Sequence, residues 1–172
     1  MLIFLIGMPG SGKTTLGLKL AQELNCHFID SDLYIIQKEK LSIPQIFKTK
    51  GEDYFRKAET NSLKEIIEKN KKAVISVGGG TPCFNNNMDV MMKGGKVIYL
   101  KTGADDLAAR IENDETERPL FSKHKGKKLK EKIVSMLEHR EKYYKKALMS
   151  FDTTSKTPDT LSKELLGLLA GV

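Results

Sequence analysis

Cysteine is scarce in this chain. Cys26 and Cys83 are the whole complement, with no CxxC pair and no Cys/His spacing of the kind that holds zinc, which argues against a disulfide framework and a structural zinc site. Both read as reduced thiols without chemistry, and the three histidines, His27, His124 and His139, read as structural. Long apolar runs are missing as well. Nothing approaches the roughly 20 residues a membrane span requires, and Met1–Ile6 is too short and lacks the basic leader of a secretion signal. The expected location is therefore the cytoplasm. There is no internal repeat and no linker-like stretch, so the 172 residues are expected to fold as one domain, given roughly 100–200 residues per domain. With 40% apolar and 30% charged residues, neither disorder nor a fibrous repeat is favoured.

Charge is unbalanced in one place only. Lys and Arg number 29 against 22 Asp and Glu, a net +7. Between Arg118 and Lys146 eleven basic residues face three acidic ones, a local +8 that leaves −1 for everything else. A basic segment on a balanced domain fits a flap over phosphates, or plain solvated lysines, better than a grip on nucleic acid.

The apolar patterning alternates between strands and helices. Leu2–Ile6 is a continuous apolar run ending at Gly7, as a strand buried on both faces requires. Leu16, Leu20, Ala21 and Leu24 recur at helical spacing, so a helix is expected from Lys13 to about Leu24, followed by a short strand His27–Ile29 ending at Asp30. Mainly helical residues follow, with Pro44 opening one helix and Gly51-Glu52-Asp53 breaking before another that runs to about Lys69. Ala73–Val77 and Lys96–Leu100 supply further strands, and helices are expected over Ala104–Glu112, beyond Leu129 and after Pro158, with a last strand over Leu148–Phe151. Asn113–Lys128 is polar and poorly periodic, which suggests a loop or lid. Alternating strands and helices imply a parallel sheet wrapped by helices, a three-layer α/β/α domain.

The strongest local signal is Gly7-Met8-Pro9-Gly10-Ser11-Gly12-Lys13-Thr14, which satisfies G-x-x-x-x-G-K-[ST] between a strand and a helix. Its glycines let backbone N–H groups converge on phosphate oxygens, the helix adds the positive end of its dipole, Lys13 reaches the terminal phosphates and Thr14 offers a hydroxyl to Mg²⁺. No N-K-x-D run accompanies it, and the third strand ends Ser76-Val77-Gly78 without an acidic residue. The metal-ordering carboxylate must come from elsewhere. Asp30 and Asp32 at the end of the second strand are the source, one for Mg²⁺ and one for a substrate hydroxyl, since residues i and i+2 of an extended stretch share a face. The alternative is that Asp30 or Ser31 merely caps the next helix.

These pieces continue with Phe28-Ile29-Asp30-Ser31-Asp32, Gly51-Glu52-xx-Phe55-Arg56-xx-Glu59, Ser76-x-Gly78-Gly79-Gly80, Arg118-Pro119-Leu120 and Arg140-xxx-Tyr144-xx-Ala147. In this order, across residues 1 to about 158, they resemble the shikimate kinase family, small phosphate-loop enzymes that phosphorylate the 3-hydroxyl of shikimate with ATP in aromatic amino-acid biosynthesis. The resemblance implies a five-stranded parallel sheet of order 2-3-1-4-5, a mobile lid over about 113–128 and a substrate-binding helical segment over about 31–62. It implies ATP with Mg²⁺, a monomer, and no nucleic-acid or membrane partner.

Residue by residue, the resemblance makes Asp32, Arg56, Gly78, Gly79, Gly80 and Arg140 the substrate contacts, with two arginines clamping the carboxylate and Glu59 holding Arg56 from one helical turn away. Gly10, Ser11, Gly12, Lys13, Thr14 and Thr15 would hold the phosphates, Thr14 and Asp30 the metal, with Ser76 behind them. Lys13, Asp32 and the lid residue Arg118 would carry the transfer; Arg110, Arg118 and Lys156 would complete the nucleotide site. On their own, Arg56 and Glu59 could equally be a surface helix pair, Gly78–Gly80 a flexible loop, and Arg110 part of a solvated face. Two features depart from the family. The lid is unusually lysine-rich, and the adenine-side turn near Lys156 has no arginine. Rival readings are a gluconate or nucleoside-monophosphate kinase and a nucleotide-dependent RNA-binding module; the paired arginines suit a carboxylate acceptor and so speak against a nucleoside monophosphate, and Asp32 with the triple glycine adds to that. The lack of aromatics between Lys123 and Lys132 disfavours the RNA-binding module.

Overall fold

The computed structural model describes residues 1–113, 121, 124–154 and 156–170. Five parallel strands, β1 (Leu2–Ile6), β2 (His27–Asp30), β3 (Ala73–Ser76), β4 (Lys96–Lys101) and β5 (Met149–Asp152), form one sheet in the order β2-β3-β1-β4-β5. Every residue of β1 is buried, which is what its unbroken apolar run predicts for the central strand of a sheet covered on both faces. Register brings Asp30, Ser76 and Leu5 to one level. The carboxyl ends of β1, β2 and β3 therefore deliver the phosphate loop, the two aspartates and the triple glycine to the same edge, where ligands of parallel α/β sheets bind.

Among the described residues eight helices surround the sheet: α1 (Lys13–Glu23), α2 (Ser31–Glu39), α3 (Ile43–Lys50), α4 (Glu52–Lys69), α5 (Asn87–Gly94), α6 (Ala104–Glu112), α7 (Gly126–Tyr144) and α8 (Pro158–Ala170). On one face Ile3, Leu5, Val74, Ile98 and Leu100 pack with Leu16 and Leu20 of α1 and Leu161, Leu165 and Leu169 of α8. On the other face Phe4, Ile6, Ile75, Val97 and Tyr99 meet side chains of α4, α5, α6 and α7. Alternation of successive strand residues between these two cores follows from the period of two in a strand.

A third, separate cluster of Ile35, Ile46 and Phe55 joins α2, α3 and α4. It gives the helical segment beyond β2 a small core of its own. Ser42 and Gln45 form a capping box at the start of α3, with Pro44 in its first turn. Gly51, at φ 83°, ends α3 and starts α4.

The sequence expectation matches the sheet closely but passes over residues 81–95, which form a 3₁₀ turn (Thr81–Cys83) and α5. Helix α7 begins at Gly126, so the last residues of the expected lid form its first turn. One position tests how tightly β1 is held. A Cβ at Gly95 would lie 2.9 Å from both the carbonyl carbon and the Cβ of Leu2, and closer still to the Leu2 carbonyl oxygen. Backbone cannot yield as a side chain can. Gly95→Ala is expected to cost about 1–3 kcal/mol and lower the thermal midpoint by several degrees; an unchanged midpoint would mean that β1 and α5 are loosely joined.

Candidate active site

The phosphate loop needs backbone that ordinary residues resist. Gly7, Gly10 and Gly12 have φ of 147°, 84° and 89°, and a Cβ at Gly7 would sit 2.7 Å from the Leu100 carbonyl oxygen. Gly12 is also the N-cap of α1, which has no side-chain cap and no acidic residue in its first turn. By contrast, α2 and α3 are capped by Asp30 and Ser42. The open amide end of α1 thus suits an anion. Lys13 Nζ donates to the carbonyls of Gly7 (3.0 Å) and Met8 (2.9 Å), which holds the ammonium across the loop.

Gly10, Ser11, Gly12, Lys13, Thr14 and Thr15 line a cavity of about 640 Å³, together with Arg110 and Lys156. Arg110 donates to Thr153 O at 3.0 Å and Gly10 O at 3.5 Å. It is therefore a tie between the phosphate loop and the segment after β5 as well as a cavity wall, not a freely solvated side chain. Lys156 is held by Glu164 at 2.6 Å and lies 5.4 Å from the Phe151 ring. Arg118 falls outside the described residues.

Asp30 and Asp32 do not share a strand face as expected. The chain turns into α2 at Ser31, and Asp30 Oδ1 accepts from the backbone N–H groups of Asp32 (3.0 Å) and Leu33 (3.2 Å). The capping alternative and the metal reading are compatible, because Oδ2 remains and accepts from Thr14 Oγ1 at 3.4 Å. These two oxygens fit a hard cation that keeps most of its water and takes phosphate oxygens as further ligands. No group of three His, Cys, Asp or Glu able to hold a metal occurs among the described residues, so the protein's share of such a shell is small. Ser76 is buried on β3 at the level of Asp30.

The expected acceptor residues come together around the three glycines. A Cβ at Gly78 would lie 2.6 Å from Asp32 Oδ1, one at Gly79 3.1 Å from Arg140 Nη1, and one at Gly80 2.8 Å from Arg56 Nη1. Each glycine thus makes room for a different charged group. Asp32 Oδ1 and Arg140 Nη1 are buried with no hydrogen-bond partner among the described residues, leaving one acceptor and one donor for a ligand. Arg56 and Glu59 are no solvated pair: Nη1 donates to Glu59 Oε2 at 2.8 Å, and Glu59 is 3% exposed. Thr81 Oγ1 donates to the other oxygen of Glu59 at 2.5 Å. Burial lifts the Glu59 carboxyl above its usual range, against these two hydrogen bonds.

Sequence reasoning missed Thr81, which locks Glu59, and gave no role to Tyr144, whose hydroxyl donates to Gly79 O at 2.5 Å. Burial pushes the Tyr144 phenol well up, so it remains a donor. The only hint for the first was the Thr81-Pro82 dipeptide after the glycines, a turn signal.

Residues 9–170 match the shikimate kinase family. The chain belongs to that family. A shikimate kinase of Azobacteroides pseudotrichonymphae is 40% identical over 164 residues, which is 95% of this chain and 96% of that relative. Among solved structures, the shikimate kinase of Bacteroides thetaiotaomicron superposes with a TM-score of 0.94 at 35% identity, covering 99% of this chain and 98% of that one. The Acinetobacter baumannii shikimate kinase in complex with shikimate gives a TM-score of 0.89 at 32% identity, covering 99% and 93%. Family membership thus agrees with the sheet order and with the clustering of charged groups at the glycines.

Burial pushes Asp32 up from 3.8 to about 6, and the neighbouring charges of Asp30 and Glu59 push in the same direction. The native state then holds this proton where an unfolded chain has released it, so stability falls as pH rises from about 4 to about 6. Asp32→Asn cannot ionise. Its thermal stability relative to the parent is expected to improve by about 1–3 kcal/mol between pH 4 and pH 7.5; parallel midpoint curves across that range would contradict the buried carboxylate.

Proposed function

We propose that the chain transfers the γ-phosphoryl group of ATP to the 3-hydroxyl of shikimate, giving shikimate 3-phosphate and ADP, the step its family performs in aromatic amino-acid biosynthesis. The observation that carries this reading is the glycine strip, which sets one carboxylate and two guanidinium groups beside the phosphate loop. A Cβ at Gly79 would touch Pro9 Cδ at 3.0 Å and Gly7 O at 3.2 Å as well as Arg140. An acceptor on this strip is therefore next to the terminal phosphate. Two guanidinium groups suit the acceptor's single carboxylate, and one carboxylate suits its hydroxyls.

The loop amides and Lys13 bind the phosphates and oppose the charge that gathers on the oxygens during transfer. Thr14 and Asp30 would hold Mg²⁺, which neutralises charge on the β- and γ-phosphates when bound. Arg140 and Arg56 fix the acceptor ring through its carboxylate so that the 3-hydroxyl faces phosphorus in line. Asp32 orients that hydroxyl and takes its proton as the new O–P bond forms and the bond to the ADP oxygen breaks. A carboxylate raised to about 6 is better matched to that task than an ordinary one near 3.9. Arg118 is assigned to the migrating charge on the family resemblance. The single domain, the lid over about 113–128, the monomeric state, the cytoplasmic location and the lack of nucleic-acid or membrane partners belong to the same reading. In its support, no described helix is long and apolar enough to cross a membrane.

The deciding assay measures ADP release from MgATP with shikimate, gluconate, a panel of nucleoside monophosphates or no acceptor. Turnover dependent on shikimate is expected; turnover with gluconate instead would discard shikimate as the acceptor, and turnover with a nucleoside monophosphate would discard the carboxylate clamp as well. Lys13→Ala should abolish turnover while leaving the fold intact; parental turnover would refute the phosphate-loop assignment. Arg140→Ala should raise the shikimate KM by about tenfold or more, the value of a charge-assisted bond, with ATP KM nearly kept. A collapse of ATP affinity alone would contradict the placement of Arg140. In the parent, kcat/KM for shikimate should fall as pH drops below about 6, where Asp32 takes up its proton.

A further inference from the structure

Arg56 is held more completely than a carboxylate clamp requires. Its Nε and Nη2 donate to Glu52 Oε1 at 3.1 and 2.8 Å, and Nη1 donates to Glu59 at 2.8 Å. Of the five N–H bonds of a guanidinium, one on each terminal nitrogen is left over. That pair can meet both oxygens of one carboxylate, provided that the plane of the group is correct. Hydrogen bonds to two glutamates restrain the edges of the plane but leave it able to tilt.

The tilt is opposed by an aromatic ring. Arg56 Cζ lies 4.0 Å from the centroid of Phe84, nearer than to Phe55 at 5.4 Å or Phe47 at 6.0 Å. Phe84 is 38% exposed, so its contribution to the core is limited. Its backbone is tied to the residue that it covers. Asn85, held at φ 50°, donates from Nδ2 to the carbonyl of Arg56 at 3.1 Å and to Thr60 Oγ1 at 3.0 Å. Asn86 is also left-handed, at φ 55°, and asparagine is among the few residues that accept this conformation readily. Asn87, fully buried, donates from its backbone to Phe84 O at 2.9 Å and from Nδ2 to Thr81 O at 3.0 Å. One short segment therefore grips Arg56 three ways: Thr81 through Glu59, Asn85 through the main chain and Phe84 through the guanidinium face.

We propose that Phe84 is a positioning residue that sets the plane of the Arg56 guanidinium and so raises affinity for the carboxylate of the acceptor. This rests on the acceptor reading above. A cation stacked on a ring at this distance gains from the ring quadrupole, an attraction that an aliphatic side chain of similar size does not supply. Phe84 touches no reacting atom, so its loss should appear in acceptor binding and not in the chemical step.

The test compares Phe84→Ala, Phe84→Leu and Phe84→Tyr with the parent in steady-state kinetics. Ala and Leu should raise the shikimate KM about fivefold, with kcat within about twofold and ATP KM unchanged, and Tyr should restore the parental value. Parental KM in Phe84→Leu would overturn the proposal, because any apolar filler would then serve. So would a joint rise in both KM values with a lowered thermal midpoint, which marks general loosening. An NMR measurement stands apart from turnover. The Arg56 Nε–H proton should be displaced by the ring current in the parent and in Tyr, and should shift in Leu; no shift would overturn the stack itself. A parent inactive on shikimate would instead overturn the acceptor assignment, and with it the link between the stack and acceptor affinity.

Discussion

The half of the site beyond the phosphate loop depends on three missing side chains. At Gly78, Gly79 and Gly80 an added methyl group would lie 2.6 to 3.1 Å from Asp32, Arg140 and Arg56 respectively. That is inside ordinary contact distance for all three, so one strip of bare backbone lets a carboxylate from α2, a guanidinium from α4 and another from α7 approach one another. None of these glycines has a left-handed φ. Their requirement is space, not conformational freedom, which separates them from Gly7, Gly10 and Gly12 of the phosphate loop, where positive φ decides.

Bringing charges together on that strip has an electrostatic consequence. Asp30 and Glu59 raise the affinity of Asp32 for a proton, while Lys13 and Arg56 oppose them there. The three carboxylates are treated differently. Asp30 is committed to the N-cap of α2, and Glu59 is committed to Arg56 and Thr81. Asp32 alone keeps an oxygen without a partner. Burial thus leaves Asp32 with both a raised pKa and an unpartnered oxygen beside the glycine strip.

Much of this was legible in the sequence because it is local. Leu2–Ile6 reads as a strand buried on both faces, G-x-x-x-x-G-K-T lies between it and a helix, and Pro44 opens a helix. The parts that were not legible are those in which distant segments decide. Asp30-Ser31-Asp32 offered two readings, an extended pair and a helix cap, and pattern alone does not choose between them; the fold takes the cap through Asp30 Oδ1 and brings Thr14 to Oδ2. Residues 81–95 give α5 only eight residues, too short a run for its pattern to stand out, and left-handed Asn85 is tied to α4 through Arg56 and Thr60. The resemblance pairs Glu59 with Arg56; only the fold reveals that the pair is buried and that Thr81 meets it as well.

The same geometry means that the two halves of the site cannot move independently. Tyr144, fully buried, donates to Gly79 O at 2.5 Å and lies 3.9 Å from Met8 Sδ within the phosphate loop. Gly79 in turn faces Pro9 and Gly7 O on one side and Arg140 on the other. Arg140 and Tyr144 lie four residues apart on α7, on one face of the helix. A shift of the phosphate loop therefore presses on the glycine strip through backbone and a buried ring, neither of which can yield like a solvated side chain. α7 carries both the donor that fixes Gly79 and the guanidinium that faces it.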